Sequence, residues 1–84
     1  MKLVQIKANQ INQLTLEQKY QLAIKLGTTA GFYQYYFDSL PNHKNQIETF
    51  NNANDLYYSI YKQYKYTGYD SFRNALNYYL KNNK

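Results

Sequence analysis

Hydrophobic residues recur at intervals of three and four along most of this chain, which is the spacing of the apolar face of an α-helix. The first run opens with Thr15 and Gln18, which match the capping box found at many helix starts. Gly27 follows the run and predicts a left-handed C-cap, so we expect a helix over residues 15–26. Its predicted inward face consists of Leu16, Tyr20, Ala23 and Ile24.

The second run places five aromatic rings in six consecutive positions within the stretch GFYQYYFDSLP. We predict a helix here that is capped by Thr28 or Thr29, runs to about Leu40 and is ended by Pro41. Successive side chains on a helix point about 100° apart, so these rings must spread around the whole cylinder. The expected positions are Phe32, Tyr36 and Leu40 in the core, Tyr33 or Tyr35 against another helix, and Phe37 exposed.

The strongest helical periodicity lies in residues 47–66, which we predict to form one helix ended by Gly68. A fourth helix is expected to start at Asp70 or Ser71 and to run into the lysines of the C-terminal tail, where positive charge is favourable. The predicted inward positions of these two helices are Ile47, Phe50, Ala53, Tyr57, Ile60, Tyr61 and Tyr64, followed by Phe72, Ala75, Leu76 and Tyr79.

Residues 2–13 fit two patterns. Val4 and Ile6 alternate as in a strand, whereas Leu3, Ile6 or Lys7, Gln10 and Leu14 would form a helical stripe. We favour an extended segment or short edge strand followed by a turn. The predicted fold class is therefore all-α, a compact four-helix domain over residues 1–84 with a short N-terminal strand as an option. Eighty-four residues suffice for one modest core.

The stretch LAIKLGTTAGFYQYY, residues 22–36, contains an inward Ala23, a Leu-Gly turn and Thr29 as a cap. It resembles a helix-turn-helix DNA-binding unit. The resemblance implies that the second helix enters the major groove, where Thr29 and Gln34 would be presented and Gln34 would pair with adenine. That helix departs from the family pattern in carrying no Lys or Arg, and Thr28 stands where an apolar residue is usual.

Charge adds a second candidate surface. The chain has a formal net charge of +5, and residues 56–84 hold +4 of it, from five Lys and Arg against one Asp. Rings interleaved with cations suit single-stranded nucleic acid, because bases stack on rings and phosphates meet lysines. A basic face kept for solubility has the same pattern. The residues expected on this surface are Tyr58, Lys62, Lys65, Tyr66, Arg73, Asn77, Lys81 and Lys84.

Chemistry-bearing residues are few. The chain has no cysteine, one histidine (His43), and five carboxylates that never lie close together in the sequence. We therefore predict no catalytic residue, no metal site and no cofactor, and expect a protein that is not an enzyme. No stretch approaches the roughly 18 apolar residues of a membrane span, and the N-terminus lacks the apolar run of a signal peptide. The expected location is the cytoplasm.

The first functional hypothesis is a small nucleic-acid-binding protein that binds single-stranded or duplex DNA. The alternative is a protein-binding inhibitor or adaptor, such as an anti-defence protein, that uses an exposed aromatic patch of Tyr33, Tyr35 and Phe37. The enrichment in Asn, Lys and Tyr is typical of AT-rich coding sequences and favours a phage or mobile element of a low-GC bacterium. Both hypotheses leave a homodimer open.

Overall fold

The computed structural model describes residues 6–82, and within that range it contains four α-helices and no strand. The helices are α1 (Leu16–Gly27), α2 (Thr29–Ser39), α3 (Gln46–Tyr61) and α4 (Tyr69–Asn82). Two short 3₁₀ helices, Ala8–Gln13 and Leu40–Asn42, precede α1 and follow α2. The predicted all-α, four-helix fold class is confirmed. None of the helices within residues 6–82 has the length and apolar character needed to cross a bilayer.

Local signals set the starts of α1 and α2. The Thr15 hydroxyl accepts a hydrogen bond from the Gln18 backbone N–H at 3.1 Å, and the Gln18 side chain accepts one from the Thr15 N–H at 2.9 Å. This reciprocal pair is the predicted capping box. Thr28 caps α2, because its hydroxyl accepts from the Gly31 N–H at 3.0 Å. After Ser39 the chain tightens into the 3₁₀ turn that contains Pro41, as expected.

Gly27 does not form the predicted left-handed cap. No glycine in residues 6–82 has a positive φ, and Gly27 is the last residue of α1 itself. A Cβ at this position would lie 2.6 Å from the Tyr61 hydroxyl oxygen. The glycine therefore allows α3 to approach α1 closely, and its role is one of space and not of backbone conformation.

The core is built around aromatic rings from three helices. Phe72 of α4 lies at its centre, and its ring centroid is 4.7–5.9 Å from five neighbouring rings. Most of these pairs meet edge to face, the arrangement that aromatic quadrupoles favour. The five neighbours are Phe50, Tyr36, Tyr66, Phe32 and Tyr33.

Helix α2 is central, which explains how so many adjacent rings are accommodated. Its buried side chains face α1, α3 and α4, and Tyr35 turns toward the N-terminal segment, where its hydroxyl accepts from the Ile6 N–H at 3.4 Å. Phe32 and Tyr36 are buried and Phe37 is exposed, as predicted from their angular positions.

The predicted inward face of α1 is wrong. Leu22 and Leu26 are the side chains that α1 buries, whereas Leu16, Tyr20 and Ile24 are 85%, 64% and 51% exposed. Both sets repeat at intervals of four, so helical spacing alone does not distinguish them. The packing of α2 and α3 decides which of them faces inward.

The N-terminal segment also differs from expectation. Residues 8–13 form a 3₁₀ helix instead of an extended stretch, while the part of the predicted strand before residue 6 lies outside the described residues. Asn52 of α3 holds the start of this segment: its side-chain oxygen accepts from the Ala8 N–H at 2.7 Å, and its amide donates to the Ile6 carbonyl at 2.9 Å.

Candidate nucleic-acid interface

The helix-turn-helix resemblance concerns the joint between α1 and α2. One residue, Thr28, separates these helices, whereas a helix-turn-helix turn has about three to four. Thr29 and Gln34 are exposed, but the Gln34 side-chain oxygen already accepts a hydrogen bond from the Lys25 ammonium. The same side of α2 exposes the Asp38 carboxylate, which repels DNA phosphates. This geometry gives docking into duplex DNA little support.

Two members of the predicted aromatic patch are inside the domain. Tyr33 is buried and packs its ring 5.9 Å from that of Phe72, and Tyr35 is buried beneath the segment that begins at Ile6. Their assignment to a protein interface is therefore wrong, because α4 and the N-terminal segment already cover them. Phe37 remains exposed.

Helix α3 ends five residues earlier than predicted. Lys62 adopts a left-handed conformation, with φ 62° and ψ 25°, and its N–H donates to the Tyr58 carbonyl at 2.8 Å. The chain then doubles back over the end of α3. Asn54, which is buried in α3, holds the returning segment in place. Its side-chain oxygen accepts hydrogen bonds from the backbone N–H groups of Lys65 and Tyr66, each at 3.2 Å. Its amide donates to the Tyr66 carbonyl at 3.0 Å.

This reversal creates what we call the tyrosine–lysine loop, residues 57–66, with the sequence YYSIYKQYKY. Tyr64 returns onto Tyr58, and the two rings stack with centroids 4.6 Å apart and planes 28° from parallel. Both remain accessible, Tyr58 at 43% and Tyr64 at 55%. Lys62 is exposed at the turn between them. An exposed two-ring stack with a cation in its connecting turn is suited to stacking a base and contacting a phosphate.

Tyr66 and Lys65 do not lie on the outward face that the sequence predicted. The Tyr66 ring packs 5.4 Å from that of Phe32, and its hydroxyl donates to the Tyr33 hydroxyl at 3.2 Å. Burial, with this hydrogen bond, raises the pKa of Tyr66 well above its usual range. Lys65 is half-buried with its ammonium 5.1 Å from the centroid of the Tyr57 ring, and desolvation lowers its pKa. The predicted face assumes that the helix continues through residues 62–66, whereas these residues are not helical.

The predicted residues of α4 form a polar stripe. Arg73, Asn77 and Lys81 are all exposed, and their spacing of four places them on one side of the helix. Lys84 lies outside the described residues. The stripe is positively charged, and none of its three residues is aromatic.

Sequence reasoning missed Tyr64 as a site residue, since the helical reading assigned it to the core. Two signals pointed to a loop. The polar residues Lys62, Gln63 and Lys65 interrupt the apolar pattern. Gly68, a residue typical of turns, follows only a few positions later. The exposed apolar side of α1 gives no sequence signal of its own, because its spacing is also that of a core face.

Other chemistry in the described residues is sparse. Within residues 6–82 no group of three or more His, Asp or Glu side chains is placed to hold a metal ion. His43 Nδ1 lies 3.6 Å from a Glu48 carboxylate oxygen, a contact that becomes an ion pair when His43 is protonated.

Comparison with known proteins adds no relative from which a role could be transferred. No protein-family model, curated protein or solved structure matches this chain.

Proposed function

We propose that this protein binds single-stranded nucleic acid through the tyrosine–lysine loop. The observation that carries the proposal is the exposed Tyr58–Tyr64 stack with Lys62 in the turn between the two rings. Each base stacked on an aromatic ring contributes about 1–3 kcal/mol, and the interaction is tolerant of sequence. The loop contains no acidic residue that would repel phosphate.

The fold supports this role by holding the rings in place before binding. The left-handed turn at Lys62 reverses the chain, and the hydrogen bonds between Asn54 and the backbone of Lys65 and Tyr66 hold the returning segment against α3. The loop therefore loses little conformational entropy when a base stacks on it. The exposed stripe of Arg73, Asn77 and Lys81 supplies further charge for the phosphate backbone. Single strands fit better than duplex because stacking needs unpaired bases.

The test is a titration with labelled oligothymidine, the matching oligouridine and a duplex of equal length, each at two salt concentrations. We expect both single strands to bind more tightly than the duplex, with affinity that falls as salt rises. A preference between the two single strands would distinguish DNA from RNA as the ligand. Absence of single-strand binding at low salt would reject the proposal.

Point variants locate the site. Tyr64→Ala removes one ring of the stack and is expected to weaken single-strand binding by about 5- to 150-fold, the equivalent of about 1–3 kcal/mol. Tyr78→Ala removes an exposed tyrosine of α4 and serves as the matched control, with unchanged binding. An equal loss in both variants would show that the loop is not the site.

Charge is tested separately from stacking. Lys62→Gln keeps a non-glycine residue in the left-handed turn and is expected to reduce the slope of log affinity against log salt by about 0.7, the value for one phosphate contact on a single strand. Lys44→Gln, at an exposed lysine before α3, is the control. An unchanged slope in Lys62→Gln would remove this lysine from the interface.

A further inference from the structure

Helix α1 carries apolar side chains on two opposite sides, of which the fold covers one. Leu22 and Leu26 are buried against the core, while Leu16, Tyr20 and Ile24 point to solvent. Intervals of four place the last three on one continuous side of the helix. Single exposed apolar residues are ordinary on a protein surface, whereas a contiguous apolar patch is often an interaction site.

Tyr61 of α3 extends this row. Its hydroxyl donates to the Ala23 carbonyl at 2.7 Å, and the missing side chain of Gly27 gives its ring room beside α1. The ring also stacks on Tyr57 with centroids 4.5 Å apart, and it remains exposed. We call Leu16, Tyr20, Ile24 and Tyr61 the outer α1 face. The ring of Tyr61 is held by contacts on two sides, so the face has a defined shape.

We propose that the outer α1 face joins two copies of this chain through an antiparallel pair of α1 helices related by a two-fold axis at Tyr20. The spacing favours a second copy as the occupant. Leu16 lies four residues before Tyr20 and Ile24 lies four after it, so the reversed helix places the partner's Ile24 opposite Leu16. Such a face is complementary to itself, as a two-fold interface requires.

The size of the face fits a small homodimer. A large side chain presents about 150–250 Å² when fully accessible, so the four partly exposed residues offer roughly 400 Å² per chain. Two such faces supply roughly 800 Å², and a polar rim of about 400 Å², the usual share of polar area, would bring the interface to the lower end of the roughly 1,200–2,000 Å² range. The four residues carry no charge, so their apposition brings no like charges together.

The chain contains no cysteine, which permits a crosslinking test of the geometry. Tyr20→Cys places two thiols at the proposed axis and is expected to give a disulfide-linked dimer under mild oxidation. Leu16→Cys and Ile24→Cys should crosslink efficiently when mixed, and much less when each is oxidised alone. Tyr78→Cys, at an exposed tyrosine of α4, is the control: it should associate like the wild type but form no disulfide-linked dimer.

Sedimentation over a range of protein concentrations measures the association without any nucleic acid, so its outcome is independent of the proposed function. We expect a mass near twice 10.1 kDa at high concentration. Tyr20→Glu should weaken the dimer by about 30-fold or more, the loss typical of a central interface residue, and should keep the wild-type melting temperature. Tyr78→Glu should dimerise normally.

Two results would overturn the proposal. The first is a wild-type protein that stays monomeric at all concentrations, including one that instead binds a different protein through this face. The second is a dimer that persists in Tyr20→Glu and is not crosslinked in Tyr20→Cys, because the contact would then lie elsewhere.

Discussion

Asn54 shows at the scale of one residue how a buried amide sets the shape of a surface loop. Its side chain makes three hydrogen bonds to the backbone of Lys65 and Tyr66, and it uses both its oxygen and its nitrogen. Residues 62–66 lie outside any helix or strand, so they have no regular backbone ladder that would replace these bonds.

We expect Asn54→Ala to lower the free energy of unfolding by about 1–3 kcal/mol, since it leaves backbone groups without partners. A domain of this size would lose several degrees in melting temperature. Asn74→Ala, at an exposed asparagine of α4, is the control. Thermal melts that coincide for the two variants would show that the Asn54 bonds contribute nothing to stability.

Gly31 is required by close packing at the joint between α1 and α2. A Cβ at Gly31 would overlap the Lys25 carbonyl oxygen and lie 2.5 Å from the Thr28 hydroxyl. We expect Gly31→Ala to destabilise the domain by about 1–3 kcal/mol, despite the higher helix propensity of alanine. A Cβ at Gly68 would meet nothing within 4 Å, so Gly68→Ala should melt at or slightly above the wild-type temperature. The reverse order of the two melting temperatures would contradict this account.

The two sides of α2 make different contributions to stability. Phe32 is buried among the rings of Tyr57, Tyr66 and Phe72, whereas Phe37, about 140° away around the helix, is exposed. Phe32→Ala is expected to cost about 3–5 kcal/mol, which is enough to unfold a small domain, and Phe37→Ala should cost far less. Urea denaturation of both variants measures the difference. Equal losses would show that Phe37 is also part of the core.

The 3₁₀ helix Ala8–Gln13 depends on α3. An isolated helix of this length is unstable in water, and the side chain of Asn52 holds its start through Ala8 and the carbonyl of Ile6. We expect Asn52→Ala to speed amide hydrogen exchange in residues 8–14 while the core of α3 stays protected. Asn51→Ala, at the exposed neighbouring position, is the control. Unchanged exchange in residues 8–14 would show that other contacts hold the segment.

The whole molecule is expected to be sensitive to alkaline pH through its buried tyrosines. Burial raises the pKa of Tyr35, Tyr36 and Tyr66, so the folded state keeps these protons at a pH where the unfolded chain loses them. Stability from these groups is therefore complete below about pH 10, the ordinary tyrosine pKa, and falls as pH rises above it.

Absorbance of tyrosinate and circular dichroism, followed together against pH, test this expectation. The buried rings should ionise only as the helical signal is lost. A single titration of all twelve tyrosines with the helices intact would contradict it.

Local hydrogen bonding and angular spacing by themselves determined the number of helices, the capping box at Thr15 and the end of α2 near Pro41. They also determined that Phe32 is buried and Phe37 exposed. Each of these depends on residues within one or two helical turns. Tertiary structure alone decided which of the two apolar sides of α1 is buried, because Leu22 and Leu26 match the helical period as well as Tyr20 and Ile24 do.

The same limit applies to the candidate site. Residues 57–66 carry the composition of a ring-and-cation surface, and the sequence identified Tyr58 and Lys62 within it. Their arrangement depends on the path of the chain after α3, where the Asn54 side-chain oxygen accepts hydrogen bonds from residues 11 and 12 positions further along the chain. A helical period contains no information on such a contact, so only the folded chain could show that Tyr64 stacks on Tyr58 while Tyr66 turns into the core.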